Sequence, residues 1–456
     1  LLYATGFAFD TDFGEVAKVR DPNGYLRCWG YDPFGRLTTL SDEPNTPSGL
    51  GDSCSALLAE FSFPSVGDPL QQHILETRHP GDLASDVRSR RFFDGLGRVY
   101  QEEEEHDAGN FAITTRGWGA RGEQDCEALP FDGPGGVPYE CGALSGPRLE
   151  TDYDALLRPT DTRRVFPGGT PTLITRAYSI ANQDGKAGNE RIETRTTWTG
   201  AGWDRVVHTG TDPSGRVVSI QEAAGGLTLL KRDPTGRITQ VDGPNVTLSP
   251  SGSHPNRLTI GYNRVDQRTA LSGLWPTGQW SYQYDASGNL SQQTSPGNRT
   301  IRFHWDALNR LALKDYGAPN TISSPGIGED LRYSYDDPTS NGIGRLALVD
   351  TPEAAGVDTS FGYDLRGRVG SKVRNFGGSG AFAFGYSYDG LGRRLYTSLP
   401  NGQGILHFYH GSVLATIMVP GGAGPGTVVA EGVILHASGA PKQITYPVVL
   451  GGSSYE

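Results

Sequence analysis

"RFFDGLGRVYQEE", residues Arg91 to Glu103, sets an acid, two glycines and an arginine between aromatic and β-branched residues. That is the composition of an active-site loop. The same grouping returns as "GYDPFGRLTTL" at 30–40 and "SYDGLGRRLYT" at 387–397. A catalytic site breaks the symmetry of a repeat instead of obeying it, so the recurrence points to architecture, and repeats decide a fold before any single motif does.

Aligned on the aspartate, copies start at Asp21, Asp32, Asp94, Asp154, Asp212, Asp233, Asp285, Asp306, Asp364 and Asp389. A further copy starts at Asp336 and reaches Gly344-Arg345 after the insertion "DPTSNGI". The residue before the aspartate is aromatic in most copies, as at Tyr31, Phe93, Tyr153, Trp305 and Tyr388. Three positions after it comes glycine (Gly35, Gly97, Gly215, Gly236, Gly288, Gly367, Gly392), with Leu157 and Asn309 as exceptions. Arginine usually follows, as at Arg36, Arg98, Arg158, Arg216, Arg237, Arg310, Arg368 and Arg393.

Each position has a backbone reason. Aspartate favours the first place of a type I turn, where its carboxylate meets nearby amides, and proline suits the second. Glycine in the fourth takes positive φ and completes a three-residue hairpin loop; asparagine is the best substitute and leucine a poor one. Before the turn, aromatics recur at i and i+2, as in Trp29/Tyr31, Tyr282/Tyr284 and Tyr386/Tyr388. That is strand period, with the rings on one face. An aliphatic residue after the arginine opens the return strand. "PGN" at 296–298 and "PNG" at 400–402 read as turns at the opposite ends of hairpins. Helical periodicity is hard to find. The expectation is an all-β chain of tandem antiparallel hairpins over 1–400, with loop insertions near 41–60, 104–147 and 162–205. Diverged strands would continue the array over 401–456.

Totals narrow the function. With 64 glycines, 30 prolines and 44 aromatics (20 Tyr, 17 Phe, 7 Trp) in 456 residues, the chain is folded and rich in turns. A net charge of −11 argues against nucleic acid and anionic membranes as partners. No apolar run reaches the about 18 residues needed to span a bilayer. The start, "LLYATGFAFD", shows neither an initiator methionine nor a signal peptide, and the chain reads as a fragment of a longer product. Cys28, Cys54, Cys126 and Cys141 fit no metal pattern. Disulfides Cys28–Cys54 and Cys126–Cys141 would each close a loop, the alternative being four free thiols in a reducing compartment.

Catalytic readings fare badly. "GWGARG" at 117–122 meets a dinucleotide fingerprint, but "EQDCE" follows and no helix starts there. "QEEEEH" at 101–106 reads as a solvated strand end or loop, because adjacent strand residues face opposite ways. "DTDFGE" at 10–15 lacks the full calcium-loop pattern. His407 and His410 would lie on opposite faces of a strand. No enzyme, metal or cofactor is expected. The repeated arginine could lie across a neighbouring ring or build a ladder that binds glycans.

The run Y-x-Y-D-x-x-G-R-L, clearest in "GYDPFGRLTTL", "YQYDASGNLSQQT", "FGYDLRGRVGSKV" and "YSYDGLGRRLYTSLPNG", resembles the YD repeat of the Rhs family. That family includes bacterial polymorphic toxins, the B and C components of insecticidal Tc toxins, and animal teneurins. The resemblance covers most of 1–400. It implies a spiral sheet, closed or in part, that forms a hollow shell around an inactive C-terminal toxin domain. The partner would then be the remainder of the same polypeptide or an enclosed toxin component, and the setting secreted or cell-surface and bacterial. The opening "GFAFDTDFGEVAKVRDPNG" and the Gly/Pro/acid insertions look more like large Tc-type proteins. The family's self-cleaving aspartate motif finds no match after residue 400, so cleavage and cargo are not carried over. The other reading is an extracellular β-structure binding glycans or a protein partner, as teneurin-like proteins do.

Overall fold

The structure, a computed structural model, describes residues 6–43, 54–68, 71–81, 86–107, 109–143, 146–166, 172–181, 190–198, 205–222, 225–244, 246–247, 253–254, 256–273, 278–316, 330–351, 357–420, 427–435 and 441–445.

The chain is all-β. Among the described residues, thirty-five strands form one sheet and Val246–Thr247 pairs with Ser253–His254 in a second. The only helical turns among them are the 3₁₀ segments Cys141–Ala143, Pro338–Ser340 and Gly377–Ser379. Sequence neighbours pair antiparallel along the chain, as in Leu26–Tyr31 with Leu37–Asp42 and Ala381–Tyr388 with Arg394–Ser398. Hairpin after hairpin, the register slips at the aromatic residue before the turn: at Phe93, Tyr153, Tyr284, Trp305, Tyr363 and Tyr388. One extra residue on the return strand is a β-bulge, which adds twist at the same point of each hairpin.

Two stretches expected as loops carry strands. Ala56–Ser62 begins in the first; the insertion at 162–205, whose "RIETRTTWTG" reads as strands of diverged repeats, holds Thr172–Ala181 and Glu190–Trp198, and 44–53, 167–171, 182–189 and 199–204 fall outside the described residues. The correction is largest in the middle, where 104–147 holds part of Val99–Asp107 and all of Asn110–Trp118, Gln124–Ala128 and Phe131–Pro134. The reason is period two under a loop-like composition: Phe111, Ile113 and Thr115 are buried while their neighbours are not. Beyond 400, strands run over Gly404–His410, Val413–Val419, Thr427–Leu435 and Pro441–Thr445.

By packing, the chain divides into two compact units, and the division does not fall at 400. One comprises 1–118, 127–144 and 332–456; the other comprises 119–126 and 145–331. Within the first, strands from Gly6–Phe9 to Asn110–Trp118 make one antiparallel stretch and strands from Leu331–Tyr335 to Val413–Val419 another. The two stretches meet along a seam. Asn23 bonds both ways to the backbone of Ile343 (3.0 and 2.9 Å). The Gly390 amide donates to Pro80 O at 2.5 Å, and Ser412 Oγ donates to Glu105 O at 3.3 Å. At the seam Asp42, fully buried, accepts from Tyr25 Oη at 2.6 Å and pairs with Arg366 Nε at 2.6 Å.

Candidate functional site: the turn-and-ring staple

At Asp94–Arg98 the aspartate amide donates to Arg98 O (2.9 Å) and the Gly97 amide to Asp94 O (3.0 Å). Gly97 has φ +77°. One carboxylate oxygen, Asp94 Oδ1, accepts from the Leu96 and Arg98 amides, both at 2.9 Å. The other, Oδ2, accepts Arg98 Nε and Nη2, both at 2.7 Å. The turn therefore satisfies its own amides and fixes its arginine with a single acid.

The same clamp forms at Asp32, Asp154, Asp212, Asp233, Asp306, Asp364 and Asp389, where each aspartate holds the arginine four residues on. Gly35, Gly215, Gly236, Gly288, Gly367 and Gly392 hold positive φ like Gly97; so do Leu157 (+60°) and Asn309 (+58°). At Asp285 the partner is Asn289 (3.2 Å). Asp21 differs. Its turn lies at the opposite edge of the sheet, and its free oxygen faces Arg345 across the seam at 3.4 Å.

Hydrogen bonds set the acidity of these groups. Burial pushes Asp94 up, and the amide and guanidinium bonds from Arg98 and Leu96 bring it below the ordinary value. At Asp154 the bonds from Arg158 lead. At Asp233 the Thr235 hydroxyl leads, then burial opposes and Arg237 adds, lowering the carboxyl to about 2.

The turn arginine then reaches the next hairpin. Arg158 lies over Tyr178 at 4.3 Å, Arg345 over Tyr363 at 5.6 Å, Arg368 over Tyr388 at 4.7 Å and Arg393 over Tyr409 at 4.4 Å. Each of those tyrosines donates its hydroxyl back to the carbonyl just after the arginine: Pro159, Leu346, Val369 and Arg394, at 2.6–3.0 Å. Arg368 Nη1 also donates to Asp389 O, the next turn's aspartate, at 2.6 Å. Acid, arginine and ring form a staple that ties these hairpins to their successors; after Arg216 the ring's place is taken by Arg232, which donates to Val217 O at 3.2 Å. Burial raises the Tyr178, Tyr363 and Tyr409 phenols.

Several turns of this kind escape a search for Asp-x-x-Gly-Arg. Asn263 Oδ1 accepts from the Val265 and Gln267 amides at 3.0 Å, and Asp266 takes the positive-φ place (+64°). Arg237 lies over Tyr262, two residues before that turn's second position, at 5.0 Å. "GWGARG" is another: Gly119 donates to Glu123 O and Gly122 to Gly119 O, so the fingerprint match is a hairpin turn. The clue at Asn263 and Gln267 is an i, i+4 pair of polar residues between strands; at Gly119 only the Glu123 carboxylate, which accepts the Arg121 amide, marks the turn. In "DTDFGE", Asp10 Oδ1 accepts the Asp12 and Phe13 amides and caps its own loop.

"QEEEEH" departs from the solvated reading. Gln101, Glu103 and Glu105 share one buried face. Glu103 accepts Arg90 Nη1 (2.8 Å), the Gly136 amide (2.8 Å) and Gln101 Nε2 (2.8 Å). Glu105 takes Arg88 in a two-point pair at 2.7 and 2.9 Å, which overcomes burial and lowers its carboxyl. The opposite face carries Glu102 and Glu104, paired with Arg116 and Arg78. The acids are buried because each has a cation or amide to meet it. Among the described residues no three His, Cys, Asp or Glu side chains converge as a metal site, and no helix is long and apolar enough to cross a membrane. Cys28 and Cys54 are joined by a disulfide, and Cys126 and Cys141 are disulfide-bonded as well.

The RHS Repeat family profile matches residues 279–319, the stretch holding the turns at Asp285 and Asp306. Residues 279–319 are thus a stretch of RHS repeat. No curated protein sequence matches it. Its fold is similar to that in the crystal structure of TcdB2-TccC3, with TM-score 0.76 and 12% identity over 97% of this chain and 25% of that one. TcdB2-TccC3-Cdc42 gives 0.73 at 12% identity, covering 97% of this chain and 27% of the other. The chain thus spans about a quarter of the length of the chains it matches, and at this identity the likeness concerns the fold.

Proposed function

We propose that this chain is a shell segment of a secreted, bacterial toxin-type protein, which encloses an effector or another toxin component and has no catalysis of its own. One observation carries the reading: the sheet holds together through staples between hairpins, with few residues buried in a core. Among the described residues twelve apolar ones are buried, from Tyr25 to Ala430, few for a sheet of this size. A sheet so little used in packing against itself is suited to being a wall. The fold likeness to TcdB2-TccC3 supports the same reading.

The glycan-binding alternative would need arginine and ring faces free to receive a sugar. In the staples they face one another. Small-angle scattering tests the wall. A compact chain of this length has a radius of gyration of about 23 Å; a shell segment gives a clearly larger value, and a compact value overturns the proposal.

A further inference from the structure

Connections between consecutive antiparallel strands fall alternately at the two edges of a sheet. In the first stretch of the larger unit, one edge therefore carries the turns at Asp10–Gly14, Asp32–Gly35, Ser65–Gly67 and Asp94–Gly97, and the other carries Asp21–Gly24 and the connection through His79 and Pro80. In the second stretch, the staple-bearing edge carries the turns at Asp336, Asp364 and Asp389, and the other carries Gly377–Gly380 and Leu399–Gly402. The seam joins unlike edges. Asn23 and Pro80, from the short-turn edge of the first stretch, bond Ile343 and Gly390 of the staple edge of the second.

This leaves one edge of each kind uncovered by described residues of the unit. The free staple edge is apolar at its tips: Phe34 is 81% exposed, Leu96 79%, Val66 70% and Phe13 42%. In the seam, the matching tips are engaged: Arg366 pairs with Asp42 and donates to Gly390 O at 3.0 Å, and Leu391 is partly buried. On the free short-turn edge, the turns "GGSG" at 377–380 and "LPNG" at 399–402 carry no charge, so these two turns bring no like-charge conflict to a neighbour.

We infer that the free staple edge is a docking surface for a second copy of this chain, which lays its Gly377–Gly380 and Leu399–Gly402 turns over Phe34 and Leu96. The contact repeats the internal seam between molecules. Because it joins unlike edges, it is head-to-tail and open to further copies. The inference rests on the seam and not on the shell reading.

Sedimentation velocity on the full chain, from micromolar to sub-millimolar concentration, tests it. The mass rises with concentration from 48.9 kDa to twice that and beyond, more readily at higher salt because the chain is acidic. Phe34→Asp with Leu96→Asp stays monomeric, as does Ser379→Arg with Asn401→Arg; all four positions are exposed, and unchanged circular dichroism and melting show that folding is intact. Mixing the two variants restores one live edge on each and gives a species of two copies that grows no further. Wild-type chain that stays monomeric throughout, or association that survives the Phe34 and Leu96 changes, overturns the inference.

Discussion

The two packing units carry the same turn, yet they are buried very differently. In the larger unit, Leu26, Val87, Phe92, Phe111, Ile113, Asp42, Gln101, Glu103 and Asp389 are all removed from solvent; in the smaller, only Tyr282, Ser219, Cys126 and Gly210 reach that degree among the described residues. The Asp212 and Asp389 clamps have matching bond lengths, 2.8 and 2.6 Å from arginine Nε to carboxylate. Their surroundings differ. Side-chain exposure is 19% at Asp212 and 2% at Asp389, whose turn is covered by Pro80. The hairpin is thus a local structure that forms with or without a cover, and burial deepens where something covers it: the second stretch at Asp42 and Asp389, and the segment around Val137 and Tyr139 at Gln101 and Glu103.

The sharpest way to break this comparison is to cut the seam. Asp42→Ala leaves Arg366 and the Tyr25 hydroxyl facing a buried gap, and removing one partner of a buried pair costs about 3–5 kcal/mol. Asp389→Ala does the same to Arg393. Chemical denaturation followed by fluorescence should show the larger unit lose stability in both variants; Asp212→Ala, in the exposed copy, should change far less. Equal losses at Asp389 and Asp212 would mean that burial adds nothing to the clamp.

Gly390→Ala ranks next. A Cβ there would stand 2.7 Å from Pro80 O and 2.8 Å from His79 O, a crowding that costs about 1–3 kcal/mol. Hydrogen exchange should speed up around 79–81 and 389–392 while the smaller unit stays protected. Uniform speeding of the whole chain would contradict a local seam. A smaller effect, of opposite sign, is expected at Leu157, a leucine at φ +60°. Leu157→Gly relieves left-handed strain of about 1–2 kcal/mol, partly offset by glycine's flexibility when unfolded, so the melting temperature should rise slightly.

Acid gives the smallest effect per site. Asp32, Asp94, Asp154, Asp212, Asp233 and Asp306 all have folded values below their ordinary ones. The folded state binds protons more weakly than the unfolded state, so stability is present above the ordinary carboxyl value and is lost as pH falls through the lowered one. With Asp233 at about 2, melting temperature should fall progressively from about pH 4 down to about pH 2, in both units. A flat profile there would show that the clamps contribute nothing.

The fold class was legible because its signals are local: a turn acid, a positive-φ residue and period-two rings lie within a dozen residues of one another. Copies such as Asn263–Gln267 were not, because an amide can replace the carboxylate as acceptor and an aspartate can replace the glycine. The strands of 104–147 were hidden by composition, since glutamates at 103 and 105 look solvated until Arg88 and Arg90 of the neighbouring strand are placed beside them. The seam was out of reach altogether. Asp42 and Arg366 are paired across more than 300 residues of chain, as the 320 positions between Asn23 and Ile343 show, and nothing in either local sequence names the other.

The central claim is that a turn arginine held over the ring of the next hairpin ties the two hairpins together. A double-mutant cycle on Arg368→Gln and Tyr388→Leu, read from equilibrium unfolding, tests it most directly. The account predicts losses that fail to add, with a coupling of about 0.5–2 kcal/mol between guanidinium and ring. Losses that add to within about 0.3 kcal/mol would show that the two residues act independently, and the staple would not exist.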